Sequence, residues 1–121
     1  IEIYGDGSQV LDLLHVSDAV RAVLLAAKTR GAMGESIEIG TGSAHSLLAV
    51  AEMVIGRATS RVEMRFVGRR PGEAGGAAAF RVADIRKQTE ILNFSPRISL
   101  HAGLDETARW VGSQLRERAT L

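Results

Sequence analysis

Ile1-Glu2-Ile3-Tyr4-Gly5-Asp6-Gly7-Ser8 opens the chain, Gln9 and a largely apolar run from Val10 to Val16 follow, and Ser17-Asp18 leads into a segment that ends at Gly31. Ile1 to Tyr4 alternates as a short strand does, and the two glycines with Asp6 and Ser8 supply turn chemistry behind it. Asp12 interrupts the apolar run, and Ser17 is placed to cap a helix with Asp18 in its first turn. Val20, Val23, Leu24 and Ala27 recur at i, i+3, i+4 and i+7, so an amphipathic helix is predicted. Lys28 and Arg30 suit its C-terminal end and Gly31 its stop. A strand, a turn and a helix within one short stretch point to an α/β class.

Working outward, Ser36 to Ile39 predicts a short strand closed by Gly40-Thr41-Gly42. Ser46 caps a second predicted helix running through Leu47, Val50, Ala51 and Val54 to Gly56. Val62, Met64 and Phe66 alternate with Glu63 and Arg65, which predicts a strand with one buried face. From Gly68 to Ala79 the pattern gives way to glycine and alanine around Arg69, Arg70, Pro71 and Glu73, a loop by composition. Phe80 to Ala83 reads as a strand, Asp84 as the cap of a third helix over Ile85 to Leu92, and Asn93 as its stop. Ser99 caps a fourth helix with Leu100, Leu104, Thr107, Ala108, Val111 and Leu115 on one stripe, fraying after Leu115. The expected architecture is a small mixed α/β domain, residues 1–121, with about four helices and three or four short strands.

Composition narrows the function classes. The 121 residues carry 15 basic and 14 acidic side chains, a net charge of +1, with 45% hydrophobic and 24% charged residues. That is an ordinary globular balance, and it supplies no global field toward nucleic acid or an anionic membrane. Arg65, Arg69, Arg70, Arg81, Arg86 and Lys87 cluster locally but carry no nucleic-acid motif. No apolar run approaches the ~20 residues that span a bilayer, so no membrane partner is expected and the localisation expected is cytoplasmic. The absence of cysteine excludes disulfides, thiolate zinc sites and cysteine nucleophiles. Aromatic residues make up only 4% of the chain, which predicts a modest core.

Catalytic signatures are missing at identifiable positions. Tyr4 is the only tyrosine and Ser8 stands four residues on, so the chain has no Tyr-x-x-x-Lys pair; in such a pair a lysine one helical turn away tunes the phenol for proton transfer. No Walker loop is present, and Gly72 to Ala78, directly behind Pro71, imitates a dinucleotide fingerprint without a helix to follow it. His15, His45 and His101 lack ligand spacing, and no metal is expected. His15, between Leu14 and Val16, reads as a hydrogen-bonded structural imidazole, and Asp12 as an architectural carboxylate. The loop Arg70-Pro71-Gly72-Glu73 supports two readings from residues alone. Arg70 can present its planar fork to a phosphate with Glu73 accepting from ribose hydroxyls, or the two simply neutralise each other in solvent.

Taken in order, Ile3-Tyr4-Gly5-Asp6-Gly7-Ser8-Gln9, Asp12-Leu13-Leu14-His15-Val16-Ser17-Asp18, Ile39-Gly40-Thr41-Gly42, Arg70-Pro71-Gly72-Glu73, Ala83-Asp84 and Leu92-Asn93-Phe94-Ser95-Pro96 resemble the C-terminal part of the extended short-chain dehydrogenase/reductases. These are the NAD-dependent nucleotide-sugar epimerases and dehydratases, and the Arg-Pro-Gly-Glu loop is most similar to that of UDP-glucose 4-epimerases. The resemblance implies that the NAD-binding Rossmann half and the catalytic Ser/Thr, Tyr and Lys belong to a part not included in these residues. It implies a UDP- or dTDP-sugar as ligand, with the backbone around Glu2 and Tyr4 meeting the base, Arg70 the diphosphate and Glu73 a ribose hydroxyl. Asp12 and Asp18 match structural positions of the motif, and His15 one that is commonly aromatic or histidine. In a complete epimerase of this kind the sugar C4 hydroxyl is oxidised and the hydride returned to the opposite face of a rotated 4-keto intermediate.

The resemblance has one marked departure. The family usually carries an arginine before the aspartate of the Arg-Asp-aromatic block, gripping the diphosphate, whereas this sequence has Leu11 there and Leu13 in place of the aromatic. Loss of one charged phosphate contact weakens binding by about 1–3 kcal/mol, roughly 5- to 150-fold. Two functions follow from the sequence. The first is the substrate-binding portion of a nucleotide-sugar epimerase or dehydratase, inactive alone. The second is a stand-alone, non-catalytic binding or homodimerisation module that uses apolar surface otherwise docked on the Rossmann half, from the Val20-to-Ala27 helix or the Leu11-to-Leu14 run.

Overall fold

The structure, a computed structural model, describes residues 1–68 and 80–119. Strands β1 (Glu2–Tyr4) and β2 (Val10–Leu11) precede helix α1 (Val16–Lys28), which is followed by a 3-10 turn (Arg30–Ala32). Then come β3 (His45–Ser46), α2 (Leu47–Ile55), β4 (Arg65–Val67), β5 (Phe80–Arg81), α3 (Arg86–Leu92) and α4 (Leu100–Ala119). The mixed α/β class with four helices agrees with expectation. The strands are two or three residues long and form two small sheets: β1 lies parallel to β4, and β2 stands between antiparallel β3 and parallel β5.

The link from β1 to β2 turns through Gly5 and Gly7, both at positive φ. Gly7 is also crowded, since a Cβ there would lie 3.0 Å from Leu48 Cβ and 3.5 Å from Ile3 Cγ2, so both its backbone angle and its lack of a side chain are needed. Asp6 Oδ1 closes the turn by accepting from Ser8 N and Oγ at 2.9 and 2.6 Å.

Helix α1 begins two residues earlier than the sequence suggests. His15, not Ser17, is its N-cap: His15 Nδ1 accepts from Ser17 N at 3.3 Å, and the His15 carbonyl accepts from Asp18 N and Ala19 N. An acceptor on Nδ1 leaves the ring proton on Nε2, which lies 3.7 Å from Glu106 Oε2 on α4. The face that α1 turns inward is not the Val20-to-Ala27 stripe. Asp18 and Ala22 are its buried residues, with Leu25, Ala26 and Thr29 partly covered, whereas Val20, Val23, Leu24 and Ala27 point outward. Ala22 joins Leu92 and Phe94 in a core cluster that Leu25, Ala26, Ala32, Ile37, Ile39 and Ile91 complete.

Residues 36–39 form no ladder although Ile37 and Ile39 do reach that core. Their continuation is held by side chains instead. Gln88, 1% exposed, accepts from Gly40 N and donates to Gly40 O, both at 3.0 Å, and so replaces a strand neighbour. Ser46 caps α2 as expected, through Ala49 N at 3.1 Å. The predicted strand over 62–66 narrows to Arg65–Val67 and leaves Phe66 exposed. Ile85 rather than Asp84 takes the cap position of α3, although Asp84 Oδ1 still accepts from Arg86 N at 3.1 Å. Asn93 stops α3 in the left-handed region, with Phe94 N donating back to Gln88 O.

Ser99 caps α4, which stays helical to Ala119 rather than fraying after Leu115. Only its first turns pack. Gly103 is buried against the His15 ring, and Arg57 ties the end of α2 to Asp105 at 2.6 Å and to the His101 carbonyl at 3.2 Å. Leu100 and Leu104 are partly covered, while Thr107, Ala108, Val111 and Leu115 of the expected inner stripe are exposed. No helix among the described residues is long and apolar enough to cross a membrane.

Candidate functional site

The site begins at the edge of β1. Ile1 O accepts from Arg65 N at 2.8 Å and Gly5 N donates to Val67 O at 3.1 Å, so the odd-numbered residues direct their backbone groups to β4. Successive strand residues point their backbone groups to opposite sides, which turns those of Glu2 and Tyr4 toward the other edge. Among the described residues no strand pairs there. Gln9 Nε2 reaches the same edge and donates to Tyr4 O at 2.8 Å. The Glu2 carboxylate is engaged across the pair, 2.8 Å from Arg65 Nη2, so Glu2 offers its backbone rather than its side chain to that edge.

The second sheet carries Leu11. Its register sets His45 of β3 and Arg81 of β5 directly opposite Leu11 on either side. Residues in register across a sheet project from the same face, so the row His45, Leu11, Arg81 lines one surface. Arg81 is exposed, and His45 together with Leu13, Arg97, Ser99 and His101 lines a cleft of about 500 Å³ at the start of α4. The position that lacks the expected arginine therefore has an arginine as its strand neighbour. Only pairing register exposes this relation, because Leu11 and Arg81 are far apart in sequence.

Under this row Asp12 fixes the backbone. Its carboxylate accepts from Thr41 N at 3.0 and 3.1 Å, from Gly42 N at 2.9 Å, from Ala83 N at 3.3 Å and from the Thr41 hydroxyl. Partial burial pushes the Asp12 carboxyl up, but the hydrogen bonds from Thr41, Gly42 and Ala83 outweigh it and hold it below the usual carboxylate range. Asp18 does the same for the approach to α4, accepting from Arg97 N and Ile98 N at 2.9 Å each and from Arg21 Nη2 at 2.7 Å. The Arg21 guanidinium in turn lies 4.5 Å from the centre of the Phe94 ring. Asp12 and His15 are architectural, as read from the residues, and Asp18 is architectural, as the resemblance implies.

Arg70 and Glu73 lie outside the described residues, in the segment that links β4, the neighbour of β1, to β5, the neighbour of β2. The strands that flank that segment in the chain are thus β4, paired with β1, and β5, paired with β2. The described residues do not fit a dinucleotide. The N-termini of α1, α2 and α4 are closed by His15, Ser46 and Ser99, and none of the positive-φ glycines adjoins a helix N-terminus. No group of three or more His, Asp or Glu side chains among the described residues is arranged to hold a metal.

Comparison with known proteins agrees with the fold. The sequence profile of the NAD dependent epimerase/dehydratase family matches residues 1–40. The dTDP-4-dehydro-6-deoxy-D-allose reductase of Streptomyces bikiniensis is 38% identical over 112 residues, which cover 91% of this chain and 32% of the reductase. The UDP-glucose 4-epimerase of Thermotoga maritima, determined with UDP-glucose, aligns over 95% of this chain and 35% of its own, with a TM-score of 0.81 and 28% identity. The UDP-glucuronic acid 4-epimerase of Bacillus cereus, in complex with UDP-glucuronic acid and NAD, aligns over 93% of this chain and 35% of its own, with a TM-score of 0.80 and 29% identity. The chain thus spans about a third of the length of the curated relatives it matches.

Proposed function

We infer that this chain, which belongs to the NAD-dependent epimerase/dehydratase family and corresponds to the C-terminal portion of its members, is the nucleotide-sugar-binding part of such an enzyme and is inactive alone. The observation that carries the reading is the agreement of nearly the whole chain with an epimerase structure determined with UDP-glucose. The edge of β1 suits a pyrimidine, whose flat rim of C=O and N–H groups complements extended backbone. Arg70 takes the diphosphate and Glu73 a ribose hydroxyl. Arg81, in register with Leu11, takes the phosphate contact that an arginine at position 11 would make. NAD and the proton-transferring residues belong to the remaining two thirds, and this chain has no Tyr-x-x-x-Lys pair of its own. Binding energy on the nucleotide, remote from the sugar carbon that reacts, serves to orient the sugar.

A two-dimensional amide NMR titration with UDP, UDP-glucose and dTDP-glucose tests this reading. Saturable shifts are expected at Glu2, Tyr4, Arg70, Glu73 and Arg81, with millimolar affinity sufficient. Arg70→Ala and Arg81→Ala should each weaken binding by roughly 5- to 150-fold, the effect of one charge-assisted phosphate contact. A dispersed spectrum that no nucleotide moves would sink the proposal. Unchanged affinity in Arg81→Ala would leave Leu11 without a substitute. No epimerase turnover above a mock preparation is expected from the chain with NAD and UDP-glucose, and turnover there would overturn the claim of inactivity.

A further inference from the structure

The two architectural aspartates hold the walls of one cleft. Asp12 pins Thr41 and Gly42, and Asp18 pins Arg97 and Ile98, so the backbone on either side is fixed before a ligand arrives. These two segments and Leu13 line the cavity of about 500 Å³ at the start of α4.

Its charged and titratable groups are all suited to donate hydrogen bonds. Among the described residues the Arg97 guanidinium, the His45 ring and the Ser43 hydroxyl have no hydrogen-bond or ion-pair partner. His101 is fixed as a donor by Arg57. Arg57 Nη2 lies 3.3 Å from His101 Nδ1, and a guanidinium only donates, so Nδ1 accepts and the ring proton sits on Nε2. No described Asp or Glu lines the cavity. The carboxylates closest in the bonding network are spent elsewhere: Asp18 is 2% exposed and paired with Arg21, and Asp105 is held by Arg57 at 2.6 Å. An arginine and two imidazoles with no carboxylate among them make a site for an oxyanion.

Arrangement and size narrow the ligand. Ser43 and His45 stand on one wall and Arg97 and His101 on the other, which suits the three oxygens of a phosphate group better than the single plane of a carboxylate. The cavity falls in the range of roughly 300–1,000 Å³ that holds small organic molecules, far more than one phosphate fills. Leu13, Pro96, Ile98 and Leu100 make the rest of its lining largely apolar. None of these residues belongs to the β1 edge or is Arg70, Glu73 or Arg81, the groups that the nucleotide reading uses.

We propose that this cleft binds a phosphate monoester with a small apolar body, the phosphate on His45, Arg97 and His101 and the body on Leu13, Pro96, Ile98 and Leu100.

Phenyl phosphate is the probe, followed by two-dimensional amide NMR of the 121-residue chain. Saturable shifts are expected at Ser43, His45, Arg97, Ser99 and His101, with Glu2 and Tyr4 unmoved. Inorganic phosphate lacks the apolar body and benzoate the tetrahedral anion, so each should bind about tenfold more weakly or worse. Arg97→Ala should weaken phenyl phosphate by about tenfold or more, and Arg97→Lys by less, because the charge stays while the planar fork goes. Both variants keep the backbone N–H that bonds Asp18, and a dispersed spectrum verifies their fold. Arg30→Ala, at an exposed arginine outside the cleft, should leave affinity unchanged. The proposal is overturned by an absence of saturable shifts in the cleft, by equal affinity for inorganic phosphate or benzoate, or by equal weakening in Arg30→Ala. UDP identifies the source of the phosphate. Displacement of phenyl phosphate by UDP would make the cleft part of the nucleotide site, which removes this inference and leaves the nucleotide reading standing. A chain that binds phenyl phosphate and ignores UDP loses the nucleotide reading alone.

Discussion

Gly40→Ala is expected to lower the unfolding free energy by about 3–6 kcal/mol, enough to abolish a cooperative urea transition in a chain whose buried hydrophobic residues, among the described residues, are Ile3, Ala22, Ala51, Leu92 and Phe94. The cause is spatial. A Cβ on Gly40 would stand 2.4 Å from Ala83 Cβ and 2.6 Å from Asp12 Oδ2, and neither neighbour is the far end of a flexible side chain. Moving Ala83 displaces the N–H it gives to Asp12, and moving Asp12 releases Thr41 and Gly42. Moving Gly40 itself opens its paired hydrogen bonds with Gln88, whose amide is buried and has no water to turn to. Gly34→Ala is the control, because Gly34 has positive φ but nothing within 4 Å of the added carbon. It should cost only the left-handed strain of about 1–2 kcal/mol. Urea unfolding followed by far-ultraviolet circular dichroism separates the two, and a Gly40→Ala transition within 1 kcal/mol of the parent on that scale would contradict the packing described.

This junction also explains what the sequence made legible. Gly40, Thr41 and Gly42 read as a stop after a strand, yet Ile37 and Ile39 reach the core without a ladder. Alternation reports which side chains turn inward, not whether the backbone finds a strand partner. Here the partner is the side chain of Gln88, 48 positions away, and no local pattern encodes it. The strands β2 and β3 escape periodicity because two residues are too few to alternate. Helix α2 and its Ser46 cap were legible because both signals are local and agree.

Helix α1 was legible as a helix but not in its orientation. Val20, Val23, Leu24 and Ala27 satisfy the amphipathic template, and the hydrophobic pattern alone assigns them to the core. Ala22, Leu25 and Ala26 satisfy it as well on the other side, and the structure buries those. The deciding residue is Asp18, which is drawn inward by the N–H groups of Arg97 and Ile98 and turns the helix with it. A sequence reading treats a carboxylate in the first turn as a solvated partner of the helix dipole and so misses its pull. The family was legible in its motif order, and Asp12 and His15 behave as read. The neighbour relation of Leu11 and Arg81 depends on strand register, which the sequence does not carry.

Asp18→Ala should be the most damaging substitution of a charged residue, at about 3–5 kcal/mol. Asp18 is 2% exposed and is the acceptor for Arg97 N and Ile98 N, which hold the approach to α4 against α1. Without it two backbone donors lose this partner, and Arg21 keeps, among the described residues, the Ser95 carbonyl and the Phe94 ring. Asp18→Asn should be nearly as harmful, because its amide offers one acceptor where three donors converge. The pH dependence distinguishes this account from simple loss of packing. Burial pushes the Asp18 carboxyl up, but the hydrogen bonds from Arg21, Ile98 and Arg97 and the Arg21 charge outweigh it, leaving the folded-state value below the ordinary 3.8. A depressed carboxylate contributes stability that is present above the unfolded value and is lost as pH falls through the folded one. The gap between the parent and Asp18→Ala should therefore be widest near neutrality and shrink as the solution is acidified below about pH 4, the unfolded-state range of a carboxylate. Asp12 titrates in the same direction and is present in both proteins, so it cancels in the comparison. Urea unfolding of the two proteins at pH 7, 4 and 3 measures the gap. A gap that stays constant over that range would mean that the ionised form of Asp18 is not what fixes the Arg97–Ile98 backbone.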